Sequence, residues 1–310
     1  MRRIQYHRYG GPEEMRLEQA PEPVAGNGQI VARVVAASIN PIDWRVRGGA
    51  MKMMTGKTFP KGMGFDFAGV VEAVGSDVSD LKPGDEVFGT GIMKVMGAFA
   101  DKVLTETKLV ARKPAGVSFE QAAALPTGAG TALQALSEKG NVGPGHKVFI
   151  AGCIGGVGQA AVQIAKMLGA HVTGSCSAST GEQAKQLGVD EVIDYASGDM
   201  AVLARSFDVV FETSGKMNVD DALALVKPGG RLFDINPEPG KFLRLLTGKP
   251  IRFVFGGASR ARLESLATFA SDGKLHIALG ETVPLEDAIP LITRLEQGGK
   301  AGGKAIVRID

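Results

Sequence analysis

Hydrophobic and polar positions divide the chain into two patterns. Up to Ser118, short apolar runs such as QIVARVVAASI and FAGVVEAVG alternate with turn sequences such as KPGD. Short β-rich runs that Gly and Pro interrupt are typical of an antiparallel or barrel-like β domain. The pattern predicts no helix of useful length in the first hundred residues.

The second pattern starts at SFEQAAAL, where strand-like and helix-like segments begin to alternate. KVFIAG, VGQAAVQIAKMLG, HVTGSC, GEQAKQLG and DEVIDY follow one another in this way. Such alternation predicts a parallel, doubly wound sheet. After Gly273 come a strand (HIALGETVP), a helix (LEDAIPLITRLEQGG) and a strand (KAIVRI), which we assign to the first domain. We therefore predict a β domain of residues 1–119 and 274–310, and an α/β domain of residues 120–273.

The stretch KVFIAGCIGGVG joins a strand to a helix and carries a glycine-rich turn. Its spacing matches G-x-G-x-x-G, which binds the pyrophosphate of a dinucleotide, except that Cys153 takes the first glycine position. Gly155 would let the backbone approach the pyrophosphate, and Gly158 would let the helix pack closely on the strand. Gly152 would share the turn. The alternative is a plain strand-to-helix corner. Backbone N–H groups at the helix start would bind the phosphates, which makes Gly155, Gly156, Val157 and Gly158 the candidate residues.

The end of the next strand bears on which dinucleotide binds. No Asp or Glu occurs between Gly152 and Glu182, and the strand ends in GSCSAST. A carboxylate about 20 residues past the glycines would bind the ribose hydroxyls of NAD and repel the 2′-phosphate of NADP. We therefore predict NADPH, with NADH as the alternative. Lys185 is the nearest basic candidate, and the candidate hydroxyl donors are Ser175, Ser177, Ser179 and Thr180.

Charge and composition exclude several other classes. Lys and Arg number 35 against 33 Asp and Glu, so no basic surface for nucleic acid is expected. The chain has no signal-peptide pattern and no run of about 20 apolar residues, which predicts a cytoplasmic protein without a membrane span. Two cysteines in 310 residues suit a reducing compartment.

Several motifs together resemble a known family. NPIDW, GMGFDFAGVVEAVG, KPGDEVFG, GCIGGVG and LVKPGGRL occur in the order found in the medium-chain dehydrogenase/reductase superfamily. The resemblance covers essentially the whole chain and implies a Rossmann domain beside a β-rich, GroES-like barrel domain. Zinc alcohol dehydrogenases of that superfamily carry a Gly-His-Glu triplet, whereas this chain has Gly64, Phe65 and Asp66. NPIDW contains neither Cys nor His, so we predict no metal.

SINPIDW, AAALPTGAGTALQAL and LGVDEVIDY resemble the zinc-free NADPH:quinone oxidoreductases in particular. The chloroplast-envelope homologues within that branch generally carry an arginine where this chain has Ser179. The resemblance places Asn40 and its partner Asp43 at the nicotinamide end as catalytic candidates. It places further cofactor contacts at Thr131, Tyr195, Ile235 and Asn236. Other roles are open: Asn40 could cap a turn, Thr131 could bond its own helix, and Tyr195 could pack at the sheet edge.

Hydride transfer without zinc suits an acceptor that delocalises its own negative charge, because no Lewis acid is available. The resemblance therefore implies an NADPH-dependent reductase of quinones or α,β-unsaturated carbonyls, with the acceptor held between the domains. It also implies a homodimer that meets at the IRFVFGG strand. The alternatives are a non-catalytic NADPH-binding sensor or structural protein, and an enoyl thioester reductase. No proton donor is evident, and water or a ribose hydroxyl could serve.

Overall fold

A computed structural model describes residues 1–196, 200–236 and 248–309. The strands in these ranges are β1 (Arg2–Tyr6), β2 (Arg16–Gln19), β3 (Gln29–Ser38), β4 (Lys61–Gly62), β5 (Asp66–Val74), β6 (Glu86–Thr90), β7 (Lys102–Glu106), β8 (Val110–Arg112), β9 (Lys147–Ala151), β10 (His171–Cys176), β11 (Glu191–Asp194), β12 (Phe207–Glu212), β13 (Val226–Asp234), β14 (Ile251–Phe253), β15 (Leu279–Pro284) and β16 (Lys304–Arg308). The α-helices are α1 (Pro41–Arg47), α2 (Lys52–Thr55), α3 (Phe119–Ala123), α4 (Pro126–Leu133), α5 (Gly156–Met167), α6 (Gly181–Gln186), α7 (Val219–Leu225), α8 (Arg260–Ser271) and α9 (Ala288–Glu296).

The first compact unit comprises Met1–Thr127 and Ala258–Asp310. Its main sheet has the order β15-β16-β3-β5-β6-β8, with β7 paired to β3, and a smaller sheet has the order β2-β1-β4. The pairs are antiparallel except β15 with β16. Apolar side chains of both sheets and of α9 form one buried core, which includes Ile4, Phe67 and Leu291.

The second unit, Gly128–Gly257, is a doubly wound sheet with the order β11-β10-β9-β12-β13-β14. Every pair in it is parallel. Counted along the chain this order is 3-2-1-4-5-6, the Rossmann arrangement, in which ligands bind at the carboxyl ends of the central strands where the order reverses. Here that point lies between β9 and β12. The predicted fold class, a Rossmann sheet with a second β-rich unit, is confirmed.

The unit boundaries differ from the predicted ones after residues 119 and 273. Both displaced helices pack on the β-rich unit. The Gln121 side chain on α3 bonds the backbone of Ile277, and Arg260 at the start of α8 forms an ion pair with Asp80. The periodicity of hydrophobic residues does not show which unit a helix packs against. The predicted boundaries therefore placed α8 in the α/β unit, with its neighbours along the chain.

The first hundred residues contain the seven-residue helix α1, contrary to the prediction of no useful helix there. Pro41 starts it and Asn40 caps it, and a helix of two turns is too short to show a helical period. In the ranges that the structure describes, no helix combines the length and the apolar character needed to cross a bilayer.

Candidate functional site

Gly152 makes the turn that ends β9. Its φ is +73°, a left-handed conformation that favours glycine, and a Cβ atom there would lie 2.9 Å from Cβ of Ser214. The N–H groups of Gly152 and Cys153 both donate to the carbonyl of Ser175, at 3.0 and 3.1 Å. Because residue 152 takes the left-handed conformation, residue 153 need not be glycine.

Cys153 is a packing residue in this turn. It is fully buried, and a Cβ atom on Gly174 of β10 would lie only 2.8 Å from its Sγ. Burial, with the nearby Cys176 thiol, raises the pKa of Cys153 to about 12. The thiol therefore stays neutral and fills the space that Gly174 leaves open, so it does not act as a nucleophile.

Three glycines shape the start of α5. Gly155 is its N-cap, and a Cβ atom on Gly158 would stand 2.1 Å from the carbonyl oxygen of Gly152. Gly156 is exposed and has open space where a Cβ would project. The first N–H groups of a helix have no acceptor within it, and they carry the positive end of its dipole. This open cradle, at Gly156, Val157 and Gly158, fits a pyrophosphate.

The hydroxyl groups after β10 do not all share one role. Ser175 is buried, and its Oγ accepts the N–H of Gly152 at 3.4 Å, so it supports the turn. Ser177 Oγ lies 3.0 Å from both Ser179 Oγ and Thr180 Oγ1, and Ser179 is exposed. Lys185 Nζ lies 4.0 Å from a carboxylate oxygen of Glu182 on the exposed surface of α6.

Tyr195 follows the adjacent strand β11. Its N–H donates to the carbonyl of Cys176 at 3.2 Å, which brings it beside the hydroxyl cluster. The side chain is 68% exposed, so it does not pack into the sheet edge. An exposed ring next to this cluster is available for stacking.

Glu212, at the end of β12, is a positioning residue that the sequence reasoning missed. Its buried carboxylate accepts the N–H groups of Ser214 and Gly215, each at 2.9 Å, and the Ser214 hydroxyl. A Cβ on Gly215 would lie 2.7 Å from Nδ2 of Asn236. Glu212 therefore holds the turn that packs against both Gly152 and Asn236. The sequence did contain a signal for this role, because a glutamate ends the apolar run FDVVFE.

Ile235 and Asn236 follow β13 at the same edge of the sheet. Asn236 is buried, and its N–H donates to Asp234 Oδ1 at 2.6 Å, while Ile235 is half-buried. Thr131 on α4 lies beside Gly256 instead. A Cβ on Gly256 would stand 2.0 Å from its Oγ1, so Thr131 lies against the segment after β14.

Asn40 and Asp43 lie in the β-rich unit, where they begin α1. The Asn40 N–H donates to Asp43 Oδ2 at 2.7 Å, and the Asp43 N–H donates to the Asn40 carbonyl at 3.0 Å. Both side chains are buried. Asn40 therefore does cap a helix, and Asp43 supports that cap.

The Asn40 side chain also joins a buried polar network. Its Nδ2 donates to Asp66 Oδ2 and to the Ser38 carbonyl, both at 3.1 Å, and its Oδ1 accepts a hydrogen bond from Lys304 Nζ. Asp66 also accepts the N–H of Thr127 at 2.9 Å and its hydroxyl at 2.6 Å. Sequence reasoning did not assign Lys304 or Thr127 a role.

Burial dominates the titration of these groups. It raises the pKa of Asp43 to about 8, against the opposing effects of the backbone N–H groups of Asn40 and Phe65. Burial also raises the pKa of Asp66 and lowers that of Lys304, while the attraction between these two charges opposes both shifts. Asp43 therefore holds a proton at neutral pH.

Comparison with known proteins agrees with this organisation. A family model described as zinc-binding dehydrogenase matches residues 156–236, and one described as alcohol dehydrogenase GroES-like domain matches residues 26–115. The chloroplast envelope quinone oxidoreductase homolog of Arabidopsis thaliana is 30% identical over 326 aligned residues, which cover 99% of this chain and 98% of that protein. The chain belongs to the medium-chain dehydrogenase/reductase family. The resemblance inferred from its motifs is confirmed.

Two further members of this family extend the comparison. An NADPH-dependent alkenal/one oxidoreductase, chloroplastic, from Arabidopsis thaliana is 35% identical over 236 residues, covering 73% of this chain and 60% of that protein. The structure of the quinone oxidoreductase from Coxiella burnetii superposes with a TM-score of 0.90 at 29% identity. It covers 100% of this chain and 99% of that one.

The family-model description raises the question of whether zinc would fit. Phe65 stands beside Asp66, and the Asp66 carboxylate already faces an amide, a backbone N–H and a hydroxyl. The Lys304 ammonium occupies the same network. Across the described ranges, no group of three or more His, Cys, Asp or Glu side chains could hold a metal ion. The donor set does not fit a catalytic zinc, which takes three such ligands.

Proposed function

We propose that the protein is an NADPH-dependent, zinc-independent reductase that transfers hydride to quinones or α,β-unsaturated carbonyls. Membership in a dehydrogenase/reductase family makes it an oxidoreductase. The observation that carries the proposal is the open glycine cradle at Gly156, at the switch point of a Rossmann sheet whose second strand ends in hydroxyl groups and not in a carboxylate. Relatives named for quinones and for alkenal/one substrates support the acceptor class.

The nucleotide half of the cofactor would be held by the second unit. The N–H groups of Gly156, Val157 and Gly158 would bind the pyrophosphate, and Tyr195 would stack near the adenine. Ser177 and Ser179 would donate to the 2′-phosphate, which no carboxylate in this loop repels. Because hydroxyls donate single, uncharged hydrogen bonds, NADH is the alternative cofactor. When bound, NADPH supplies the hydride.

Other residues would serve the nicotinamide end. Glu212 holds the turn at Ser214 and Gly215 against Asn236, so this edge is rigid before a ligand arrives. We assign Ile235 and Asn236 to the carboxamide by position and Thr131 to the ring by resemblance.

Asn40 has little hydrogen-bonding capacity left for a ligand. Both hydrogens of its Nδ2 have acceptors, and Lys304 is the donor to Oδ1 among the described residues, which leaves one lone pair of Oδ1 for a ligand. Asn40 would therefore accept a hydroxyl of the cofactor or substrate and would not donate to the acceptor oxygen. Asp43 would act through Asn40, because its carboxyl is fully buried.

The side chains of the site support this class of acceptor. A site whose residues do not fit zinc offers no Lewis acid to polarise a simple ketone. Quinones and α,β-unsaturated carbonyls spread the added charge over their own conjugated systems. Hydride transfer to them needs only a proton, which water can supply.

A homodimer through β14 is part of this proposal. β14 is the terminal strand of the parallel sheet, and Phe255 just beyond it is 66% exposed. Among the described strands β14 is terminal in the sheet, and a terminal strand beside an exposed aromatic ring is suited to pairing with a second copy. The free thiols Cys153 and Cys176 support a reducing, cytoplasmic compartment.

The decisive experiment measures NADPH oxidation with a panel of quinones, enones and enoyl thioesters. We expect turnover with at least one quinone or enone. A Gly158→Ala variant, in which the new Cβ meets the Gly152 carbonyl and displaces the start of α5, serves as the inactive control. Tight NADPH binding without turnover of any acceptor would favour the sensor alternative. Turnover restricted to thioesters would favour the enoyl thioester reductase.

A further inference from the structure

Lys304 is a buried lysine that the pairing of β16 with β3 places opposite Asn40. β16 pairs with β3 in the register Ile306 to Ser38, and the Ile39 N–H donates to the Ala305 carbonyl at 3.0 Å. Continuing this register places Lys304 opposite Asn40, although 264 positions separate them in sequence. Lys304 is 7% exposed, so its ammonium group has little access to water.

The chemistry of the three groups allows only one orientation of the Asn40 amide. An ammonium group only donates hydrogen bonds, and a carboxylate only accepts them. Asn40 lies between the two, with Oδ1 on Lys304 and Nδ2 on Asp66. The N–H and hydroxyl groups of Thr127 also donate to Asp66, which suits its ionised form. A reversed amide would direct its NH₂ at the ammonium and its oxygen at the carboxylate.

We propose that Lys304 is a positioning residue for the reduction, which fixes the Asn40 amide so that the remaining lone pair of Oδ1 points to one place. This inference rests on the proposed function of Asn40. Without the ammonium group, the amide loses the partner that distinguishes its two ends, and Asp66 becomes an uncompensated buried charge. A misplaced contact at a reacting centre can lower the rate about 100-fold.

Three substitutions of Lys304 separate the effect of orienting the Asn40 amide from the effect of changing a buried side chain. Lys304→Met removes the donor at similar length, Lys304→Gln keeps a neutral donor, and Lys304→Arg keeps a charged one. Lys61→Met is the matched control, since Lys61 is 5% exposed in the same unit, and its Nζ donates to the Thr55 carbonyl at 2.7 Å. We expect Lys304→Met to lower kcat about 100-fold. We expect Lys304→Arg to recover most of that loss and Lys61→Met to affect only stability.

The pH profile supplies a readout that a structural role would not move. Lys304 faces Asn40 and Asp43 from the start of α1, Asp66 from β5 and, behind Asp66, Thr127 from α4. Burial lowers the pKa of Lys304, so kcat in the wild type should fall at alkaline pH as the ammonium loses its proton. Measured with Asp43→Asn also present, which removes the titration of Asp43, Lys304→Arg should shift this fall to higher pH, since guanidinium stays charged, and Lys304→Gln should abolish it.

The side-chain amide resonances of Asn40 test orientation independently of turnover. They can be assigned by their loss in Asn40→Asp, and we expect a marked shift in folded Lys304→Met or Lys304→Gln but not in Lys61→Met. Unchanged Asn40 resonances, or wild-type kcat and pH profile in the Lys304 variants, would overturn the inference. If the wild type turns over no acceptor while the resonances shift as expected, the proposed function fails and the orienting role of Lys304 stands without it.

Discussion

The carbonyl oxygen of Gly152 lies 2.1 Å from the position that a Cβ atom on Gly158 would take. The atoms that this Cβ would meet belong to the backbone of Gly152 and Cys153, so a side chain at residue 158 must displace α5 or the turn after β9. We expect Gly158→Ala to lower the free energy of unfolding by about 1–3 kcal/mol and to abolish NADPH binding. Urea denaturation and a fluorescence titration measure the two effects.

Gly156→Ala is the matched control for that substitution. Apart from its chain neighbours and the backbone of α5, no heavy atom of the described residues lies within 4 Å of a Cβ at residue 156, so this variant should be at least as stable as the wild type. Its affinity for NADPH should nevertheless fall, because the methyl group occupies the proposed pyrophosphate cradle. Unchanged NADPH affinity in both alanine variants would rule out this placement of the cofactor.

Cys153 and Gly174 should be coupled energetically. A Cβ on residue 174 would lie 2.8 Å from Cys153 Sγ and 2.9 Å from its Cβ. We expect Gly174→Ala to cost about 1–3 kcal/mol, and less when Cys153→Gly is also present. A double-mutant cycle by urea denaturation measures the coupling, and purely additive effects would show that the thiol is not what fills this space.

Asp43 should make stability depend on pH. Its pKa is about 8 in the folded protein and about 3.9 in an unfolded chain, so the folded state alone keeps the proton between these values. The free energy of unfolding should therefore decrease as the pH rises from 5 to 8. Asp66 and Lys304, whose pKa values are also shifted, are unchanged in the Asp43→Asn variant. The difference in the free energy of unfolding between wild type and this variant therefore isolates the contribution of Asp43. If this difference in free energy does not vary with pH, the shifted pKa of Asp43 is contradicted.

Ser179 should set the preference between the two nicotinamide cofactors. Ser179→Arg should raise kcat/KM for NADPH relative to NADH about tenfold, because a charge-assisted hydrogen bond to the phosphate contributes about 1.5–3 kcal/mol. Ser179→Glu should reverse the preference through repulsion. Steady-state kinetics with both cofactors measure the ratio. If neither substitution changes it, the 2′-phosphate lies elsewhere.

Phe255 should contribute to the proposed dimer. We expect Phe255→Ser to shift sedimentation from dimer to monomer at micromolar concentration. Val202→Ser is the control, since Val202 is 75% exposed in the same unit but lies outside the edge strand. A monomeric wild type, or a variant that remains dimeric, would exclude this edge as the interface.

The local features of the site could be predicted from sequence. The spacing of Gly155 and Gly158 after a buried strand located the turn, because strand, turn and helix start are neighbours along the chain. Gly152 was expected to share the turn, and its φ of +73° shows that it does. The absence of a carboxylate before Glu182 is likewise a property of the sequence alone.

Only the tertiary structure could decide the contacts between residues that lie far apart in sequence. Lys304 meets Asn40 because the register of β16 on β3 brings them together, and Glu212 matters because parallel strands end at one edge. The unit to which α8 belongs depends on its packing against β8 and not on its own helical pattern. Periodicity and spacing determine which elements form, whereas the hydrogen-bonded ladders and the packing between elements determine which side chains meet.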